Sequence, residues 1–98
     1  EGQVTNLPHG AVIECPATAT AAGLRPIQCG AMPQGMAATL ASRFAWVDLT
    51  VEAALEGDRG KFVQALVVDG SVRSPSDAEA LADALLEAQA EWLPRFFS

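Results

Sequence analysis

Alanine is the commonest apolar residue in this chain, and that feature limits what it can fold into. Half of the 98 residues are apolar. An alanine side chain removes little area from water, so at about 25 cal/mol per Å² alanine-rich helices gain less from burial than leucine-rich ones. A chain of this length holds one small domain or part of one, with a single modest core. Its faces therefore profit from cover by something larger. The first residue is Glu1, not Met, and the opening residues read as strand and turn. They show no basic stretch followed by an apolar one, as a signal peptide would. The expectation is a chain that starts inside a larger protein.

Charge narrows the function classes. The net charge is −6, and the six basic residues are scattered singly. Nucleic acid is therefore not an expected partner, because neutralising phosphates takes clustered Lys and Arg. No apolar run approaches the roughly 20 residues of a membrane span. Cys15 and Cys29 stand apart, with no CxxC and with His9 as the sole imidazole. A structural zinc site needs about four ligands, usually in paired short spacings. A disulfide is open to them if their flanking strands pair. In a cytoplasmic protein two reduced, partly buried thiols are expected instead.

The first third, residues 1–32, is β-rich and heavily punctuated. Val12, Ile13 and Cys15 favour a short strand that Pro16 ends, and residues 17–23 read as a loop or ragged strand. Leu24 to Cys29 reads as the second strand. Two such strands make only a marginal sheet on their own, which implies that a partner sheet is missing.

From Pro33 to residue 98 the pattern is helical. Met36, Leu40, Phe44, Val47, Val51 and Leu55 form one stripe, and Trp46, Leu49 and Ala53 form a second, predicting a helix covered on more than one side. Gly57 suits the residue after its end, and Asp58 the N-cap of a short helix through Phe62 and Leu66 that Asp69-Gly70 breaks. Ser76 and Glu79 have capping-box spacing for a last helix. Its stripe runs Ala78, Leu81, Leu85, Ala88, Trp92, with Leu86 and Leu93 beside it, and Pro94 stops it. Phe96 and Phe97 are expected to dock on a core. The expected fold class is α+β, a short antiparallel β-pair followed by three helices.

The chain offers little chemistry. His9 lies between Pro8 and Gly10 in a turn, with no nucleophile in an elbow beside it. Glu14 is a strand carboxylate open to a general-acid or subunit-contact role, but such a group is more often salt-bridged, its natural partner here being Arg25 or a residue outside this chain. Glu52, Glu56, Asp83, Glu87 and Glu91 read as solvated helix faces, whereas ordinary glycosidase chemistry needs two carboxylates at a fixed separation. No GxGxxG follows a strand and no GxxxxGK[ST] occurs. Gly57-Asp58-Arg59-Gly60 is a helix–helix junction. Trp46 and Trp92 are core residues before they are sugar platforms.

Three segments in register resemble the C-terminal part of glycoside hydrolase family 4. Gly2-Gln3-Val4-Thr5-Asn6-Leu7-Pro8 with Ala11 to Pro16 is similar to the family's G-x-I-x-N-L-P-D-D-x-V-V-E-V-P. Leu49 to Arg59, LTVEAALEGDR, is similar to L-T-V-E-A-A-L-T-G-D-R. Gln64 to Asp69, with the closing Leu85 to Pro94, completes the set. His9-Gly10 stands where the family has an acidic pair and Cys15 where it has Val, so subfamily and substrate stay open.

The resemblance implies that 1–98 is a portion of the C-terminal domain of a larger α/β enzyme. Such an enzyme binds NAD in an N-terminal Rossmann domain. It holds a divalent metal, typically manganese, through a Cys and a His of its central region. It cleaves α- or β-glycosides, often 6-phosphorylated, by transient oxidation at C3, proton abstraction at C2 and elimination. All of those motifs lie upstream. The resemblance therefore assigns no catalytic, cofactor-binding or metal role here, and none to Cys15, Cys29 or His9. Its implied partners are the remainder of the enzyme and further copies in a homo-oligomer, in the cytoplasm. The alternative is a stand-alone helical interaction or dimerisation module.

Overall fold

The structure, a computed structural model, describes residues 2–98. It divides into two compact units, Glu1–Ala41 and Ser42–Ser98. The elements are β1 (Ala17–Thr20), β2 (Gly23–Pro26), α1 (Gln34–Glu56), α2 (Arg59–Asp69) and α3 (Pro75–Ala88), then a 3₁₀ turn at Pro94–Phe97. An antiparallel pair followed by three helices is the α+β class expected from the sequence.

In the first unit β1 and β2 pair antiparallel, Ala17 opposite Pro26 and Thr20 opposite Gly23. This moves the first strand. Residues 11–16, where β-branched residues predicted it, carry no ladder, and Val12 is 94% exposed. Local closure overrides propensity: Gly23 takes φ +101°, the Thr20 hydroxyl donates to Gly23 O (2.8 Å) and accepts from Ala22 N (3.2 Å), and the strands meet across two alanines. Pro16 ends the ladder rather than the segment before it, since it has no N–H but its carbonyl still accepts from Ile27 N at 2.8 Å. The second strand is correspondingly shorter than Leu24–Cys29. Cys29 N turns instead to Gln3 O (2.7 Å), beside a parallel bridge between Val4 and Gly30. All eight strand residues are exposed.

Pro33 O accepts the first helical bond of α1, from Ala37 N at 3.0 Å. Gly57 ends the helix at φ +71°. In the second unit the covered stripe of α1 is the smaller one. Ala53 is buried and Trp46 and Leu49 are half-buried, whereas Val47, Val51 and Leu55 are exposed. Of the first stripe only Phe44 is half-buried in this unit, so the expected order of the two stripes is largely inverted.

Alanine explains the inversion. The buried residues of this unit are Ala53, Ala65, Ala78, Ala82 and Leu86, and no large side chain is fully buried among the described residues. Helices meeting through alanine approach closely, and larger residues are displaced to the flanks. On α3 the buried positions are therefore Ala78, Ala82 and Leu86, in steps of four, rather than the expected Leu81 and Leu85.

The N-cap of α3 is Ser74, whose Oγ accepts from Asp77 N at 3.1 Å, not Ser76. Pro75 decides this: its fixed φ suits the first helical position, where a missing N–H costs nothing. The helix also ends earlier than expected, at Ala88. Gln89 is its C-cap, and Leu93, immediately before Pro94, is turned away from helix at φ −121°. That turn sends Phe96 back against Phe62, ring centroids 6.2 Å apart at 62°. Phe97 stays exposed, so one of the two expected aromatics docks.

Candidate functional site

In the second unit the residues singled out by the sequence converge on the corner between α1 and α2. Asp58 at the corner accepts Lys61 N on Oδ1 at 3.0 Å, the N-cap expected of it. Gly57 does two things. It adopts a left-handed φ, and a Cβ there would overlap the Arg95 carbonyl oxygen and lie 2.6 Å from its carbon. The close approach lets Arg95 Nη1 donate to Leu55 O at 2.6 Å, satisfying a carbonyl of the last turn of α1.

The charges around the corner are committed to one another. Lys61 Nζ donates to Glu52 (2.8 Å) and Glu56 (2.9 Å). Those hydrogen bonds, Glu52 first, raise the Lys61 pKa. Arg59 Nε meets Asp83 Oδ1 at 2.6 Å, which raises the guanidinium pKa and holds the Asp83 carboxyl below the usual aspartate range. Asp69 is lowered by hydrogen bonding from Ser71 and by Arg43, 2.9 Å away. Glu52, Glu56 and Asp83 are therefore not free solvated acids as the sequence suggested. They tie helix to helix, each exposed pair contributing little by itself.

Behind the corner lies a cleft of about 130 Å³ lined by Thr50, Ala53, Ala54, Phe62, Leu86, Leu93 and Phe96. Its single hydroxyl, on Thr50, donates to Trp46 O at 2.8 Å. None of its lining residues is titratable. The shallow depression beside it, lined by Ala54 and residues 92–96, carries only Arg95 as a charged group.

The other candidates do not join this corner. His9 and Glu14 are exposed in the first unit. Among the described residues no ion pair links Glu14 to Arg25. Cys15 and Cys29 are free thiols, Cys15 half-buried and Cys29 exposed. Trp46 is half-buried, and Trp92 is 75% exposed, against its expected place in the core. Among the described residues no three His, Cys, Asp or Glu side chains gather as metal ligands, and no helix is long and apolar enough to cross a membrane.

Sequence reasoning missed Asn6. Its Nδ2 donates to Met32 O (2.9 Å) and its Oδ1 accepts from Met32 N (3.0 Å), a side-chain substitute for one rung of a ladder. An asparagine before Leu-Pro was the available signal, but its partner lies 26 residues away.

Comparison with known proteins decides the family. The family model described as the family 4 glycosyl hydrolase C-terminal domain matches residues 1–72. The chain belongs to that family. It is 32% identical over 98 residues to an alpha-galactosidase of Rhizobium meliloti, covering 97% of this chain and 20% of that protein. It is 32% identical to a 6-phospho-alpha-glucosidase of Leptotrichia buccalis (96% and 21% covered), and 35% to an alpha-galacturonidase of Bacillus subtilis (89% and 20%). The crystal structure of a 6-phospho-alpha-glucosidase from gut microorganisms, in complex with NAD and glucose-6-phosphate, superposes with a TM-score of 0.84. The sequences are 29% identical, and the match covers 95% of this chain and 21% of that one. The family 4 domain described here thus spans about a fifth of the length of the curated relatives it matches. The LTVEAALEGDR segment that carries the family resemblance is also the α1–α2 corner. In this family 4 chain its Gly, Asp and Arg act as C-cap, N-cap and interhelical tie.

Proposed function

We propose that this chain is the C-terminal scaffold of a glycosidase that hydrolyses O-glycosidic bonds, including those of 6-phospho-sugars, by an NAD-dependent oxidation–elimination route with a divalent metal, manganese. The observation that supports the reading best is the TM-score of 0.84 to a fifth of a 6-phospho-alpha-glucosidase bound to NAD. This chain's own described residues do not fit either group: they hold neither a metal-ligand cluster nor a glycine-rich loop between strand and helix. NAD and metal therefore belong to the remainder of the enzyme, where they supply the redox and Lewis-acid chemistry. The role of residues 1–98 is to complete the substrate domain and to contribute to contacts in a homo-oligomer. A cytoplasmic location goes with the reading, in keeping with the two free thiols.

The test is hydrolysis of p-nitrophenyl α-glucoside, α-galactoside and α-glucoside 6-phosphate. It compares residues 1–98 alone with the complete polypeptide that carries them, each with and without NAD and Mn²⁺. The expected result is cleavage of one substrate by the complete polypeptide, dependent on both additions, and none by residues 1–98. Cleavage by residues 1–98, or by the complete polypeptide with NAD stripped, would overturn it. The exposed apolar side chains favour one alternative, a stand-alone interaction module. A reading frame whose start codon adjoins Glu1 would sink the enzyme reading.

A further inference from the structure

One face of α1 in the second unit is apolar and open. Val47, Val51, Ala54 and Leu55 lie on it in steps of three and four, with Val47 46%, Val51 51% and Leu55 62% exposed. Trp92 extends the patch, because it shares a depression with Ala54. The charges beside the patch are engaged within the unit: Arg43 with Asp69, Glu52 and Glu56 with Lys61, and Arg95 with Leu55 O, which leaves Asp48 at the rim. A surface of this chemistry selects an apolar partner.

We infer that this face is a docking surface for an apolar surface on the remainder of the same enzyme's polypeptide, with Val51 and Leu55 at its centre and Trp92 at its edge. The inference rests on the reading of the chain as a glycosidase scaffold. Two observations choose the occupant. Relatives match nearly the whole of this chain, which spans only about a fifth of their length, so most of each relative's polypeptide is available as cover. The patch itself, on the order of 500 Å², falls short of the roughly 800 Å² per partner of a stable association between separate molecules. Packing within one polypeptide needs less, since the linkage supplies a high effective concentration.

Thiol labelling of the complete polypeptide tests this. Val51→Cys and, independently, Leu55→Cys are placed in a Cys15→Ser, Cys29→Ser background and reacted with a maleimide. The native rate is compared with the rate in denaturant, over a dilution series that ends where sedimentation shows a monomer. The expected result is native labelling more than about tenfold slower than denatured labelling at both positions. Native rates close to the denatured ones would overturn the inference. So would protection that disappears on dilution to monomer, which would assign the face to a second copy. Glycosidase activity with reactive cysteines would sink the docking surface alone, and protected cysteines without activity would sink the functional reading alone.

Discussion

Gly57→Ala tests the corner most directly, because two separable effects meet at that residue. The first is backbone conformation: a residue with a Cβ at φ +71° costs about 1–2 kcal/mol relative to glycine. The second is the Arg95 carbonyl, into which the new Cβ would project. The 93–97 turn has to lift away, and with it goes the Arg95 bond to Leu55 O and the seat of Phe96 against Phe62. Phe96 is half-buried, so removing about half of a full aromatic burial costs roughly 1–1.5 kcal/mol. Together the loss comes to about 3 kcal/mol, or roughly 15 °C in Tm for a domain of this size. Urea unfolding followed by far-UV circular dichroism reads it. The control is a chain ending at Leu93, where only the conformational effect survives and the same substitution costs about 1–2 kcal/mol. Equal losses in both backgrounds would refute the claim that Gly57 is required by the approach of Arg95.

Ser74→Ala should destabilise by about 1 kcal/mol and Ser76→Ala by a few tenths, measured as urea midpoints, and the reverse order would restore Ser76 as the cap of α3. Ala82→Leu, at a position with no exposure, should cost about 1–3 kcal/mol through overpacking at the α2–α3 contact, whereas Leu81→Ala on the adjacent open face should cost less in the same thermal melt. The pKa values of Asp69 and Asp83 are lower when folded, so their contribution is complete above the ordinary aspartate value of about 3.9 and is lost as pH falls below it. Arg59→Gln should flatten the Asp83 share of that acid limb. The pKa of Lys61 is raised, so its contribution persists through neutral pH and is lost only above the ordinary lysine range. A stability curve measured between pH 2 and 11 checks all three groups.

Local rules written over short spans were legible in the sequence. Pro33, Gly57, Asp58 and Gly70 mark helix ends because each acts through its own φ or a side chain reaching two or three residues along. Helical periodicity likewise located α1 and α2, and three segments in register carried the family. Tertiary structure decided everything that depends on a distant partner. Val12 and Ile13 have the propensity for a strand but no edge to pair with, while Ala17–Thr20 has one two residues away. Most of the stronger apolar stripe on α1, Val47, Val51 and Leu55, is open, while the buried positions of this unit are four alanines and Leu86. Glu52, Glu56 and Asp83 look like ordinary surface acids until Lys61 and Arg59 come within bonding distance. The alanine content that limits the chain from the start thus predicts a thin core but not which faces fill it. A side chain of one methyl group has no directional preference, and only the packed partner shows where close approach is used.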